Sequence, residues 1–547
     1  MTAVLLIAVS LALAVQATPA RDPAAAQRAA PATIRGRIVA ADTGEPLHRV
    51  RVTLGSGTTA PAVVTDTRGE FELAGVPAGS YPVTATRAGY LTVQYGQRRP
   101  REAGRTLILK PGELVEGINI ALPRGAVLAG TITDDTSDVY PGVRVEAVEF
   151  RYLRGRRIAV QAAAATTNDL GQYRIAGLHP GIYMVRAAAT DSWQGDDDRS
   201  TFVYAHTYFP GVTGSEQAQQ LTLNVGQEVG NLSFAMRPGR AAIVKGVVRN
   251  ANGEPLASQS VTLERVIRGV GGELFGRGGP GGGTTRTAHD GTFEFRSVSP
   301  GEHIVGSGGG TDRFEEPFIV SDGEIKNIEL VARRPSPVSG SVVTSDGSPL
   351  PFVASQLRVI PVVADPDSPI VSFWGAGETA VARDGGFRFA DVRGRYLFRV
   401  SGLPDEWALT GVFLSDVNQI DAPIEFAGGE TKPLKLVVSK TGTRVEGQAL
   451  TRDGQPTAEC TVVIFAAEAG TWTLASRFIR AVRPDNAGRF TVSGLPPGTY
   501  RAAARDFVVD GQWEDPEFLT GLLATAARFE LAEGATETLT VTIEAQR

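Results

Sequence analysis

One block of sequence recurs along the chain, and it limits what the chain can fold into more than any other feature does. "DTRGEFELAGVPAGSY", from Asp66 to Tyr81, returns as "NDLGQYRIAGLHPGIY" from Asn168 to Tyr183 and as "DNAGRFTVSGLPPGTY" from Asp485 to Tyr500. Looser forms are "HDGTFEFRSVSPGEH" from His289 to His303 and "RDGGFRFADVRGRY" from Arg383 to Tyr396. A second pattern, apolar-x-Gly-x-apolar, precedes each block, with glycines at Gly36, Gly130, Gly246, Gly340 and Gly447. Those glycines are 94, 116, 94 and 107 residues apart, which is the size of a domain. Between the two patterns most copies carry a turn: "DTGEPL", "ANGEPL", "SDGSPL" and "RDGQPT". Copy two lacks its glycine and has "TSDVYPGV" instead. Each copy closes on a glycine followed by an alternating strand, as in "GELVEGINIAL" and "GATETLTVTI".

The hydrophobic period is two. In "GEFELAGV", Phe71 and Leu73 point to one side and Glu70 and Glu72 to the other. Short alternating segments bounded by Gly, Pro and Asp predict antiparallel strands with one buried face. About seven such strands per ~100 residues predict a β-sandwich. The fold class expected is therefore all-β, a tandem array of about five antiparallel sandwiches. Its divisions are 1–20 a signal peptide, 21–33 a disordered leader, then sandwiches at 34–124, 125–239, 240–334, 335–441 and 442–547. Helix is expected only from Asp515 to Phe529, "DPEFLTGLLATAARF", with a single turn near "SEQAQQL".

The residues that carry these patterns resemble the carboxypeptidase regulatory-like domain. They are the Gly-initiated first strand, the Gly-x-Pro-Leu turn, and the Asp-x-x-Gly-x-Phe…Gly-(Val/Leu)-Pro-x-Gly-x-Tyr block. The resemblance is clearest in copies one, two and five. It implies a transthyretin-like, Ig-like sandwich, often grouped with carbohydrate-binding folds, and it implies the non-catalytic appendage of such peptidases rather than the enzyme.

The chemistry expected is correspondingly spare. None of the five histidines has a glutamate three residues on or a histidine four residues on, as a zinc peptidase site would need. Neither a Gly-x-Ser-x-Gly elbow nor a Gly-Lys dipeptide occurs. Gly276 to Gly281 spells Gly-x-Gly-x-x-Gly, but within a glycine-rich run that reads as a loop. No enzyme, cofactor or metal is expected. The single cysteine, Cys460, rules out an intrachain disulfide and reads as a buried small hydrophobe. A net charge of −5 gives no sequence-wide field for nucleic acid.

The N-terminal apolar run from Val4 to Val15, followed by small residues, predicts export, with no transmembrane segment once the signal is removed. The chain is expected in the periplasm, in the cell envelope or outside the cell. Its expected role is non-enzymatic binding or scaffolding, with glycans or envelope proteins as partners. The alternatives are protein–protein interaction or an accessory role beside a peptidase or an outer-membrane transport system.

Aromatic residues in loops are the candidate ligand contacts: Trp193, Tyr204, Tyr208, Trp374, Trp407, Trp472 and Trp513. Packing against neighbouring strands is the competing reading for each of them. The arginines at 98, 99, 101 and 105, and those at 151, 154, 156 and 157, suit acidic polysaccharide or lipopolysaccharide, against the plainer reading of solvated loops. Asp196, Asp197 and Asp198 lack the alternate spacing of a calcium loop. Lys245, Glu294 and Asn327 have the residue types of a Lys–Asn isopeptide bond. The other copies carry Arg35, Ala129, Ser339 and Glu446 at the lysine position, and the bond is not expected. The ring of Tyr81 is expected to be largely buried with its hydroxyl bonded, and copy three, which has His303 there, is expected to deviate most.

Overall fold

The computed structural model describes residues 30–55, 60–102, 104–195, 200–268, 274–277, 282–307, 313–333, 337–364, 377–404, 406–426, 433–440 and 442–544. Trp374, Asp196 to Asp198, the signal segment and most of the glycine-rich run lie outside them. Two units separate: residues 1–124, and residues 125–547.

The first unit is one sandwich. Its first strand, Ala32–Ala40, pairs antiparallel with Glu70–Val76 and parallel with Leu114–Val115 and Ile120–Leu122. A second sheet places Arg51–Leu54 between Ala62–Val64 and Gly79–Thr86. Ile34, Ile38, Val52, Phe71, Leu73 and Val83 fill the space between the sheets. The second unit repeats this plan four times, with first strands Ala126–Thr133, Ala242–Arg249, Val338–Thr344 and Arg444–Leu450. Each repeat has its own core. The closing strand runs parallel to the first, because the chain between them crosses through the other sheet.

The recurring block has one physical job in all five copies. Asp66 Oδ1 accepts the amides of Arg68 and Glu70, both at 2.8 Å, and Asp485 Oδ1 does the same for Ala487 and Arg489 at 2.9 and 2.8 Å. The turn glycine that follows takes a left-handed φ, 73° at Gly69 and 74° at Gly488, and its Cα lies against a carbonyl of the first strand. The aromatic residue two positions on then lands opposite the first-strand glycine. The pairs are Gly36–Phe71, Gly130–Tyr173, Gly246–Phe293, Gly340–Phe387 and Gly447–Phe490. The missing Cβ is the space that the ring occupies.

The tyrosine that ends the block caps the core. Tyr183 is fully buried and its hydroxyl donates to His179 O at 2.8 Å; Tyr500, also fully buried, donates to Pro496 O at 2.7 Å. His303 does not deviate. Its Nε2 lies 2.8 Å from Ser299 O, also four residues back, and the ring is fully buried. The copy that departs is the first, where Tyr81 is only half-buried and pairs with Leu107 on one side. On its other side Arg51–Leu54 ends opposite Val83, short of Tyr81. In copies two and five the equivalent strand reaches the tyrosine, pairing Glu149 with Tyr183 and Ala466 with Tyr500.

Helix is shorter than the sequence suggests: Pro516–Leu522, capped by Asp515, whose carboxylate accepts the Glu517 amide at 3.0 Å. The rest of that segment becomes the strand Ala527–Leu531, because it completes the edge of Gly498–Arg505 and lays Phe529 on Tyr500. Ser215–Gln217 forms one 3-10 turn. Among the described residues no helix is long and apolar enough to cross a membrane.

Within the second unit, sandwiches distant in sequence touch. The hairpin formed by Arg144–Leu153 and Arg156–Thr166 in the second sandwich reaches the fifth, where Gly155 N donates to Gly511 O at 3.1 Å. A Cβ on Gly155, whose φ is 74°, would stand 2.2 Å from Glu514 O. Gly155→Ala is therefore expected to undock the hairpin. Amide exchange at residues 152–157 and 511–515 should rise by an order of magnitude or more, since the loss exceeds ~1.4 kcal/mol of local protection; unchanged exchange at both segments counts against the contact.

Candidate functional site

The second sandwich departs from its siblings at one end, and there its aromatic side chains gather. Where the other copies turn on Gly44, Gly253, Gly347 and Gly454, copy two has Ser137 at a left-handed φ of 74°. Asp134 supports that turn by accepting Thr136 N at 2.9 Å, Thr136 Oγ1 at 2.8 Å and Asp138 N at 2.9 Å. This glycine-free turn carries Asp135 and delivers Tyr140 to the end of the sandwich.

Opposite stands a hairpin that, among the described residues, the other copies do not show. Ser192–Gln194 pairs with Thr201–Ala205, setting Trp193 directly across from Phe202. Their rings stack at 5.8 Å and 20°, Tyr204 lies 4.7 Å from Trp193, and Tyr140 lies 5.2 Å from Tyr204. Tyr204 is 8% exposed, whereas Trp193, Phe202 and Tyr140 are half-buried. Two carboxylates edge the cluster: Tyr204 Oη donates to Asp135 at 2.8 Å, and Tyr140 Oη donates to Asp191. Burial and then the neighbouring carboxylate push both phenols well above their usual range, so they stay neutral donors. The result is an apolar aromatic floor with anionic acceptors on its rim.

The other singled-out aromatics that lie among the described residues serve packing. Tyr208 is buried against Met184 and Ala218. Trp407 packs edge-on to Phe352 at 5.1 Å. Trp472 is 7% exposed, meets Phe465 at 5.6 Å and donates its indole N–H to Ala466 O at 2.7 Å. Trp513 joins the cluster beneath the helix Pro516–Leu522, with Leu519 and Leu522. Of the six that lie among the described residues, Trp472 and Trp513 share the cluster beneath the helix, and Trp193 and Tyr204 come together in the aromatic one. Their partners Tyr140, Asp135 and Asp191 were not singled out by the sequence, although the loss of the turn glycine in "TSDVYPGV" pointed to that place.

Lys245, Glu294 and Asn327 do sit on three adjacent strands, with Lys245 in register with both others. Lys245 Nζ lies 3.3 Å from Glu294, but the two side chains are 46% and 30% exposed and Arg296 shares the carboxylate. An amine that attacks a carboxamide must be neutral and shielded from water; this one is a solvated ion-pair partner. Cys460 is buried and its thiol is pushed up to about 11, chiefly by burial. Among the described residues no three His, Cys, Asp or Glu side chains gather as a metal site would require.

Comparison with known proteins gives one family and several distant structures. Residues 33–122 match the model of the carboxypeptidase regulatory-like domain. No curated protein sequence matches the chain. Among solved structures, the Bacillus anthracis TIE protein is 13% identical over 56% of this chain and 51% of its own, with a TM-score of 0.16, so the match spans about half of that protein. A streptococcal ancillary pilin is 12% identical over 55% of this chain and 99% of its own, with a TM-score of 0.21. The major pilin subunit of Bacillus cereus is 10% identical over 55% and 99%, with a TM-score of 0.14. The first sandwich, with its Gly36–Phe71 pair and its Asp66 turn, is the part of the chain that matches the carboxypeptidase regulatory-like domain, and the four sandwiches after it are built on the same strand plan.

Proposed function

We propose that this is a non-enzymatic binding scaffold of the cell envelope whose second sandwich takes a sugar ring on Trp193. The carrying observation is the half-buried indole of Trp193, backed by Phe202 and Tyr204 and flanked by Asp135 and Asp191. A pyranose presents C–H groups on one face and hydroxyls at its edge. An aromatic floor takes the face, and carboxylate lone pairs left over from the tyrosine bonds accept from the hydroxyls. Placement in the envelope rests on the apolar run from Val4 to Val15.

The test is a glycan array followed by titration of full-length protein against the best hit. Trp193→Ala is expected to weaken binding at least tenfold, about 1.4 kcal/mol, while Trp193→Phe keeps most of it. An array without hits, or a hit that Trp193→Ala leaves untouched, sinks the reading. Hydrolysis of any hit, abolished by a point substitution in folded protein, would sink the non-enzymatic part.

A protein partner is the second reading. It is favoured by the third sandwich, where Ile325–Val331 is the edge of its sheet and Ile325 and Val331 are 60% and 45% exposed. An edge strand offers unpaired backbone groups to an incoming chain.

A further inference from the structure

The junction between the second and third sandwiches holds two arginines and too few acceptors for them. Arg186 is 3% exposed. Its Nε donates to Glu146 Oε2 at 2.9 Å and its Nη2 bonds the same oxygen, whereas Nη1 is buried without a hydrogen-bond partner. The other oxygen of Glu146 is taken by Arg144 Nε at 2.8 Å. Arg265, half-buried in the third sandwich, donates Nη1 to Ser299 Oγ at 3.0 Å, and among the described residues it forms no ion pair with a carboxylate. We propose that a chloride ion binds at this junction, between Arg186 and Arg265, and ties the second sandwich to the third. The proposal does not depend on the sugar reading.

The backbone brings the two arginines to one place. Arg186 lies in Gly181–Ala188, in register with Glu146 on one side and Tyr208 on the other. Its neighbours Val185 and Ala187 fill the core of the second sandwich, so Arg186 points out of that core. Beside Tyr208, Thr207 Oγ1 accepts Arg237 N at 3.0 Å, and Arg237–Arg240 leads into the third sandwich. There a Cβ on Gly239 would stand 3.5 Å from Pro300 Cγ, and Arg240 N donates to Asp322 Oδ1 at 2.5 Å. Pro300 follows Ser299, the partner of Arg265. The strand Arg156–Thr166 also packs on Leu274–Arg277 of the third sandwich, which holds the junction from a second side.

Electrostatics give the site its sign. Burial first holds the Arg265 guanidinium down to about 10; Tyr208 works the other way, and Arg186 adds its repulsion. Burial also works against the charge of Arg186, but Tyr208 and Glu146 outweigh it and keep that group charged. An unbonded buried N–H and a second guanidinium without a counter-ion are both costly, and one anion relieves both. The ion must shed most of its water beside a side chain as closed as Arg186. A monovalent halide does so at far less cost than a divalent phosphate or sulfate. It also accepts N–H groups from any direction, so it suits two forks that belong to different sandwiches. The more open Arg265 lies on its way in.

The experiment is calorimetry of the full chain at about pH 8, well above the titration of His303. Chloride replaces methanesulfonate at constant ionic strength, so general screening is held fixed. Raising chloride from about 5 to about 300 mM is expected to lift the melting of the second and third sandwiches by about 4 °C or more. The first sandwich, in a separate unit, is expected not to respond. Arg265→Gln is expected to lose most of the shift. No chloride-specific shift, or an equal shift in Arg265→Gln, overturns the proposal. Crystals of the parent grown in bromide decide the matter even where that variant fails to fold. An anomalous peak between Arg186 Nη1 and Arg265 is expected, and its absence overturns the proposal. A peak without any chloride-specific shift in melting marks an adventitious ion only and overturns it as well.

Discussion

Replacing Gly36 with alanine is expected to unfold the first sandwich, although the change adds a single methyl group and φ is not left-handed there. The new Cβ would stand 1.9 Å from Ile118 O and 2.8 Å from Phe71 Cε1. The first neighbour is backbone, in the link between the two short strands that pair parallel to Ala32–Ala40, and Ile118 N is itself bonded to Arg35 O at 3.2 Å, so it cannot rotate away. Overpacking a tight core costs about 1–3 kcal/mol where side chains can yield, and here the sheet itself must open, so roughly 3 kcal/mol or more is expected. For a domain of this size that lowers the midpoint by about 15 °C. Calorimetry of the full chain should show the transition of residues 30–124 moving while the others stay. Gly44→Ala is the control. Its φ is 70° but nothing lies within 4 Å, so only backbone strain applies, about 1 kcal/mol. If the two variants melt alike, the Gly36–Phe71 pair is not what seats the closing strand.

The same comparison shows what the sequence could and could not tell. The first-strand glycine was visible as a repeat, and so was the aromatic residue that follows the turn. Their pairing was not, because nothing local says that Gly447 and Phe490 face each other across two strands. The alternation of Phe71 and Leu73 was enough for sandwich and core, since period two leaves only one face to bury. The loop aromatics could not be sorted from sequence. Trp472 is buried because the helix Pro516–Leu522 and the turn before it lie over the outer face of the fifth sandwich, whereas Trp513, packed against the same cluster, is half-buried. Trp193 is half-buried as well, although it stacks on Phe202 across its own hairpin. Contacts between sandwiches were also illegible: Arg399 reaches Ala475 O at 2.9 Å and Arg477 grips both oxygens of Asp421 at 3.0 Å, yet these arginines look like any other surface arginine.

The equivalence of His303 with the buried tyrosines has a consequence for pH. Burial first, and Arg265 second, hold the His303 imidazole down to about 4, while the Ser299 carbonyl works weakly the other way. Nε2 faces that carbonyl, and Nδ1 is buried without a partner, so protonation would place an unsatisfied N–H beside a guanidinium. Arg265 sits opposite in register, with Phe318 stacked at 6.0 Å and Glu302 adjacent in the chain. The unfolded chain binds this proton near pH 6.5 and the folded chain only near 4, so the unfolded state holds more protons throughout that window. Stability from His303 is complete above about pH 6.5 and falls as the pH drops toward 4, by about 1.4 kcal/mol per pH step and roughly 3 kcal/mol in all. His303→Tyr restores the residue that copies two, four and five carry and removes the titration; His303→Gln removes it with a smaller side chain. Both variants are expected to lose most of the extra acid sensitivity of the third sandwich between pH 6.5 and 4, whatever their stability at pH 7. Carboxylates titrating in the same range are common to parent and variants and cancel in the difference. Denaturant unfolding at several pH values reads the slope directly, and parallel slopes for parent and both variants would show that His303 does not titrate as a buried neutral cap.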